Sequence, residues 1–494
     1  MSSDLDGTNP LREERLRKLK ALRGLGIDPY PPRFRTSERI ADVVERFAGL
    51  DPGTRTGHRA RLAGRIIALR RMGGATFLDL REGEAKIQGY AHRDGLAERY
   101  ELLELLDIGD FLGVEGEIFT TKRGELSLDI AEFQLLAKAL RPPPEKWHGL
   151  KDVELRYRRR YLDLLANSES RRRFLLRSRI IRAMRAFLDS RGFLEVETPV
   201  LQPIYGGAAA RPFETFHHAL GRKMYLRISD ELYLKRLIIG GYPKVYEIGK
   251  DFRNEGLSTK HNPEFTQMEC YQAFADYHDM MELAEQMIFH VVKEVLGREE
   301  ISYQGWEIDL SPPWRRVTLR EAILERTGID IKVHNTKEAL EEEARRLGLR
   351  LDPQPSWGKE VEELLSEYVE PELIRPTFVL DYPLEISPLA KRKADEPEFV
   401  ERFELFIGGL ELGNAFSELN DPLDQAARFR NQEEQRRLGD EEAHLLDEDF
   451  LIALEHGMPP AGGLGIGVDR LVMLLTDAPS IREVILFPTL RPQR

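Results

Sequence analysis

The chain has 494 residues, 41% of them hydrophobic and 32% charged, and its 73 Lys and Arg against 85 Asp and Glu give a formal net charge of −12. That length exceeds one core, so two or three domains are expected, and the composition is that of a folded chain rather than a disordered one. The acidic balance argues against a protein coated in nucleic acid, the lone Cys270 excludes an internal disulfide and a thiolate metal site, and the lack of a membrane-length apolar run or an apolar segment behind the N-terminus predicts a cytoplasmic protein with no membrane partner.

Residues 1–55 read as a helical extension. Six Lys and Arg and only two Glu lie between Leu11 and Arg23, with Leu16, Leu19 and Leu22 on one face, and the Pro-rich DPYPPRF that follows reads as a strap. This basic run, and a second at Arg156, Arg158, Arg159, Arg160 and Arg171 to Arg173, is either a solvated helical surface or a local phosphate-binding track. From Arg61 to Leu136 the texture changes to short alternating runs, RLAGRIIAL, ATFLDL, KIQGYA, FLGVEGEIF and ELSLDIAEFQLL, with turn signals at Gly73-Gly74 and Glu82-Gly83 and a helix-like stretch over 94–107. Five strands with a helix between the third and fourth predict an OB-type β-barrel over 56–145, a fold whose open face often takes single-stranded nucleic acid. Pro142-Pro143-Pro144 ends it, and 146–170 reads as a linker to a second domain over 171–494.

In that second domain, 171–190 predicts a helix with Leu176, Ile180, Met184 and Phe187 on one face and Gly192 as its stop. Segments 243–253, 264–274 and 402–419 predict strands, and 464–475 ends in a helix. Hairpins separated by long intervals favour an α+β fold on an antiparallel sheet. There is no G-x-x-x-x-G-K-[ST] loop and no G-x-G-x-x-G after a strand, so a nucleotide must be held in another way.

FRNEGLSTKHNPEFTQMECYQ, residues 252–272, supplies a candidate. Read as a hairpin, it places Phe265, Gln267, Glu269 and Tyr271 on one face and Thr266, Met268 and Cys270 on the other, with Arg253, Glu255 and His261 clustered near the polar face. In GGLELGNAFSELND, Asn414, Phe416 and Glu418 share a face; Glu404 and Glu411 offer two carboxylates of the kind that hold Mg²⁺. Glu411 has the wrong parity for Asn414, so a bend or bulge is needed if both serve one site. In GGLGIGVDRLVMLL, residues 462–475, the glycines permit close backbone approach and Arg470 sits at a helix start suited to an anion.

Together these stretches resemble the motifs of class II aminoacyl-tRNA synthetases: GFLEVETPVLQP the first, FRNEG...HNPEFTQME the second and GGLGIGVDRLVML the third. RRRYLDL, PIYGGAAARPF, RISDELYLKRL, RPTFVLDYPLEISPLA and FELFIGGLELGNAFSELND extend the likeness to bacterial-type lysyl-tRNA synthetases of subclass IIb over nearly the whole chain. The resemblance implies a class II catalytic domain on an antiparallel sheet flanked by helices, an anticodon-binding OB fold and a homodimer. It also implies ATP-dependent formation of lysyl-adenylate, with Mg²⁺, and transfer of the lysyl group to lysine tRNA. Arg253 and Arg470 then carry the catalytic charge. Arg253, Glu255, His261, Phe265, Glu404 and Arg470 take ATP, and Glu404 and Glu411 the metal. Gly207 and Glu231 take the α-amino end of lysine, Glu418 and Tyr271 the ε-ammonium with Glu269 in support, and Asn414 and Phe416 the carboxylate and stem. Phe77, Gln88 and Glu125 would read the anticodon, although Phe77 also reads as a plain barrel-core residue. Cys270, where an aliphatic residue is expected, and Ala209, where a serine is expected, depart from the pattern without removing a catalytic group. A catalytically silent tRNA-binding relative and a relative that transfers lysine to a protein are the rival readings; the retained arginines and glutamates oppose the first and the barrel the second.

Overall fold

A computed structural model describes residues 9–144, 150–437 and 445–492; parts of the N-terminal extension (1–8) and of the linker (145–149) lie outside the described residues. The chain forms two compact units, Met1–Ser168 and Glu169–Arg494.

In the first unit, strands β1 (Arg55–Met72), β2 (Ala75–Glu82), β3 (Ala85–His92), β4 (Phe111–Thr120) and β5 (Leu126–Ala137) follow the order β1-β2-β3-β5-β4, and β1 pairs with β4 to close the barrel. Alternation sends Leu62, Ile66, Leu78, Leu80, Ile87, Leu112, Val114 and Ile118 into one core. The helix-like stretch between the third and fourth strands is a single α-turn, Arg93–Leu96, followed by a 3₁₀ segment, Ala97–Leu105. The Pro-rich strap lays Phe34 against Gly113, where a Cβ would meet the ring at 2.5 Å, and Arg61 covers the ring at 4.3 Å.

Much of the basic surface is already engaged. On the helix Pro10–Gly24, capped by Asn9, the buried Arg15 donates to the carbonyls of Ile108, Ala139 and Arg141, and Lys18 pairs with Asp107. Arg160 forms a buried pair with Asp163, and Arg173 pairs with Glu483. Arg15 and Arg173 tie elements together, a role that a count of charges does not distinguish from an anion track.

In the second unit, β6 (Leu194–Glu195) is followed by β7 (Leu201–Gln202), β8 (Glu214–His217) and β9 (Arg222–Leu226), which form a small separate sheet. Strands β10 (Lys244–Phe252) and β11 (Glu264–Ala273) make the expected hairpin, and β12 (Glu300–Tyr303) and β13 (Trp306–Asp309) a second one. Then come β14 (Arg315–Thr318), β15 (Thr377–Pro383), β16 (Phe399–Ile407), β17 (Leu410–Ser417) and β18 (Ala461–Gly467). The main sheet has eight strands in the order β14-β15-β16-β17-β18-β11-β10-β6, antiparallel except for the pairs β14/β15 and β10/β6. The predicted 402–419 stretch is the hairpin β16–β17.

One face of this sheet is dry. Met268 and Cys270 of β11 and Leu464 and Ile466 of β18 pack with Met280, Met287 and Ile288 of the helix Tyr277–Leu296 and with Leu471 and Val472 of the helix Val468–Leu475. Cys270 is fully buried there as a small apolar side chain. The helix Tyr277–Leu296 starts at an Asp276–Asp279 capping box and stops at left-handed Gly297. The predicted helix over 171–190 runs from Ser168 to Ser190 and buries Ile180, Met184 and Phe187; Leu176 is only partly buried. With one face thus sealed, polar residues of opposite parity are left on the other.

Candidate active site

The open face of the sheet forms a cavity of about 360 Å³. Its floor is β18, whose pocket-facing positions Gly463, Gly465 and Gly467 carry no side chain, while Leu464 and Ile466 point into the core. On one flank, Tyr271, Glu269 and Gln267 lie opposite these three glycines in register; on the other, Phe416 and Asn414 lie opposite Gly463 and Gly465. A Cβ on Gly463 would sit 2.1 Å from Glu418 Oε1 and 2.5 Å from Tyr271 Cε1. The glycines therefore form a trough between two walls of polar side chains.

The parity conflict at Glu411 is resolved by a bulge. In the β16–β17 ladder Leu405 pairs with Gly413 and Phe406 with Glu411, so Leu412 is the extra residue and Glu411 turns to the face of Asn414. Gly413 is required there, since a Cβ would strike Ile466 Cδ1 at 2.5 Å.

At one end of the cavity the groups suit phosphate, purine and metal. Arg253 places its guanidinium 5.1 Å from the Phe265 ring, and its buried Nε has no hydrogen-bond partner. Arg470, in the first turn of the helix Val468–Leu475, donates from Nη1 to the carbonyl and Oε2 of Glu411 at 2.7 and 3.0 Å and from Nη2 to His261 Nε2 at 3.2 Å. With Nε2 accepting, the His261 proton sits on Nδ1, 2.9 Å from Ser258 Oγ. Burial and the Arg470 charge lower the His261 pKa, so the ring is neutral at pH 7. Glu255 lines the cavity and is exposed.

Glu404 and Glu411 both line this end. Burial and then the Glu411 charge push Glu404 up to about 7, against Arg402; burial raises Glu411 too, but Arg470 together with Arg253 and Arg402 holds it below its ordinary value. Two carboxylates whose charges oppose one another, with oxygen donors only, fit a hard divalent cation that would relieve their repulsion. Glu404 is held by Arg402 Nη2 at 2.7 Å and Tyr382 OH at 2.9 Å.

The other end is built for cations. Glu231 lines the cavity beside Gly207, whose φ of +90° and whose hypothetical Cβ, 2.8 Å from Ser229 Oγ, leave room only for glycine. Glu269 accepts from Ser229 Oγ at 3.0 Å, Gln267 Nε2 at 2.9 Å and Tyr271 OH at 3.2 Å. Burial, and behind it Asp251, push Glu269 up to about 7. Glu418 is fully buried and does not itself line the cavity; it lies just under Gly463 and Tyr271, and its Oε1 has no hydrogen-bond partner. An unpartnered buried carboxylate oxygen beneath a glycine floor lacks a donor.

Three residues escaped the sequence reading. Arg402 joins both ends, donating to Glu404 and, from Nε, to Asn414 Oδ1 at 3.2 Å, and it shares parity with Glu404 on β16. Ser229 lies two residues before Glu231 and fixes Glu269. Lys235, one helical turn after Glu231, is completely buried and ion-paired with both Glu231 and Glu418. Ala209 lines the cavity and offers no hydroxyl.

In the first unit, Phe77 has opposite parity to the core residues Leu78 and Leu80, and its ring meets Tyr90 at 5.1 Å. Tyr90 in turn meets His92 at 5.3 Å and Phe119 at 6.1 Å, making an aromatic stripe on the outside of the barrel. Gln88 accepts from Ser127 Oγ at 3.1 Å, and Glu125 is exposed, 3.6 Å from Lys86 Nζ. Tyr90 and His92 follow Gln88 at period two, a signal present in KIQGYAH.

The family model described as tRNA synthetases class II (D, K and N) matches residues 152–491, and the OB-fold nucleic acid binding domain matches 60–136. Among curated proteins the chain is 56% identical over 490 residues to the lysine–tRNA ligase of Moorella thermoacetica, covering 99% of both chains. It is 54% identical to that of Carboxydothermus hydrogenoformans, over 98% of this chain and 99% of the relative, and 55% identical to that of Chloroflexus aurantiacus, over 98% of each.

Proposed function

The chain belongs to the class II tRNA synthetases of the D, K and N group, and from that premise we propose that it is a lysine–tRNA ligase. In this reaction a lysine carboxylate oxygen attacks the α-phosphorus of ATP, the bond to pyrophosphate breaks, and lysyl-adenylate remains. A hydroxyl of the terminal adenosine of lysine tRNA then attacks the lysyl carbonyl and AMP leaves. Neither step needs a side-chain nucleophile; both need alignment and charge compensation.

The observation that carries the choice of lysine is the run of carboxylates Glu231, Glu269 and Glu418 at one end of a glycine-floored trough whose other end holds Arg253 and Arg470. Carboxylates there repel an acidic substrate and attract one with two ammonium groups, which opposes an aspartyl specificity within the same group. Glu231 and Gly207 take the α-ammonium, Glu418 and Tyr271 the ε-ammonium with Glu269 behind them, and Phe416 and Asn414 the stem and carboxylate. Arg253, freed from the Phe265 ring, meets the substrate carboxylate and α-phosphate, and Phe265 then stacks on adenine while Glu255 accepts from its exocyclic amine. Arg470 and neutral His261 meet the distal phosphates. Glu404 and Glu411 would hold Mg²⁺, which would supply neutralisation of phosphate charge. The half-buried stripe around Phe77, with the buried Gln88 and exposed Glu125, reads the anticodon by stacking and hydrogen bonds.

The enzyme is proposed to work as a cytoplasmic homodimer joined through the first motif, 192–203; no helix among the described residues is long and apolar enough to cross a membrane. Charging of purified lysine tRNA with labelled lysine and ATP tests the assignment. Formation of lysyl-tRNA supports it, and an enzyme that makes adenylate but acylates a protein instead would overturn it.

A further inference from the structure

Lys235 is an ammonium sealed inside the protein, with no part in the steps described above. It lies on the helix Glu231–Ile239, none of its surface is exposed, and its Nζ lies 2.5 Å from Glu231 Oε1 and in contact with Glu418 Oε2. Its Nζ is also 5.3 Å from the centroid of the Phe416 ring. Against burial, which lowers it, the Glu231 and Glu418 charges raise the Lys235 pKa, so it remains an ammonium.

The two oxygens of Glu418 therefore have different surroundings. Neither has a hydrogen-bond partner, but Oε2 is ion-paired with Lys235, whereas Oε1 faces Gly463 and the Tyr271 ring, both of which line the cavity, and has no ionic partner either. At this end of the cavity Glu231 and Glu418 share one fixed ammonium, and an arriving lysine supplies two more. Without a fixed cation, Glu231 and Glu418 would be buried charges of like sign, a costly arrangement that ordinarily resolves by uptake of a proton.

Resting on the lysine reading of the site, we infer that Lys235 is a positioning and charge-setting residue: it clamps Glu418 by Oε2 and Glu231 by Oε1, leaving Glu418 Oε1 turned toward the substrate ε-ammonium group. The other charged or titratable groups around this cluster are Asp230 on the segment before the helix, Glu269 and Tyr271 on β11, and Arg402 on β16. Arg402 already serves Glu404 and Asn414, and Asp230 lies by Glu269, so neither replaces Lys235 as the partner of Glu418.

The test is Lys235→Met in lysine-dependent ATP–pyrophosphate exchange. The lysine KM should rise at least about tenfold, the equivalent of one charged contact, with the ATP KM unchanged. Since Glu418 would hold its proton more tightly without the ammonium, the variant's lysine KM should fall more steeply than the wild type's as pH is raised from 7 to 9. Lys235→Met/Glu418→Gln removes both charges, so it should fold even where the single variant does not. Its lysine KM should exceed that of Glu418→Gln alone by much less than the factor given by Lys235→Met. An unchanged lysine KM in the single variant, a pH-independent loss shared equally by lysine and ATP, or fully additive losses in the double variant would overturn the role of Lys235. A wild type that fails to exchange with lysine would overturn the lysine reading itself.

Discussion

At the scale of the residue, Glu418 bears the largest burden. It is buried, its Oε1 lacks a partner, and burial raises its pKa in spite of Lys235. A donor arriving on that oxygen satisfies the carboxylate, and its positive charge lowers the pKa. Glu418→Gln keeps the shape and removes the charge, so the lysine KM should rise by the equivalent of about 2–5 kcal/mol while the ATP KM is unaffected, as read by pyrophosphate exchange. An unchanged lysine KM would refute the pocket assignment. Glu404 gives a pH prediction. Its pKa is raised to about 7, so it is protonated below neutrality and ionised above. The Mg²⁺ concentration needed for half-maximal exchange should therefore rise as pH falls from 8 to 6. In Glu404→Gln that slope should flatten at a uniformly poor Mg²⁺ response; a Mg²⁺ requirement independent of pH in the wild type would remove Glu404 from the metal site.

At the scale of the element, the decisive piece is β18, and it is where sequence reading was least complete. The alternation of Phe265, Gln267, Glu269 and Tyr271 identifies a polar face on β11 because a strand buried on one side must alternate. The mismatch of Glu411 and Asn414 even signals the bulge at Leu412. The glycines of GGLGIG, in contrast, suggest close approach without naming the neighbour, since that neighbour, Glu418 under Gly463, comes from a segment over forty residues earlier in the chain. Lys235 and Arg402 were missed for a related reason: each is one charge among many until folding buries it against its carboxylates. The basic helix Pro10–Gly24 shows the converse, with charges that suggest phosphate and an Arg15 bonded to backbone carbonyls. Gly463→Ala should place a methyl group against the Glu418 carboxylate and the Tyr271 ring, raise the lysine KM by about 1–3 kcal/mol equivalent and lower thermal stability through overpacking. A variant that activates lysine normally would show that the floor of β18 is not the lysine site.

At the scale of the whole molecule, the two compact units have separate cores. The OB-type barrel could be read in advance from five alternating runs and one helical interval; the eight-stranded order of the main sheet could not, because β18 inserts between β17 and β11 from far along the chain. Division of labour predicts that Phe77→Ala weakens charging of lysine tRNA by about 1–3 kcal/mol through lost stacking and leaves lysyl-adenylate formation intact. Equal loss in both assays would place Phe77 in the barrel's stability instead. The most direct measurement of the central claim is ATP–pyrophosphate exchange by the wild-type protein with each of the twenty standard amino acids in turn. The account predicts exchange with lysine far above every other amino acid. Exchange driven by aspartate or asparagine, or none with lysine, would contradict it.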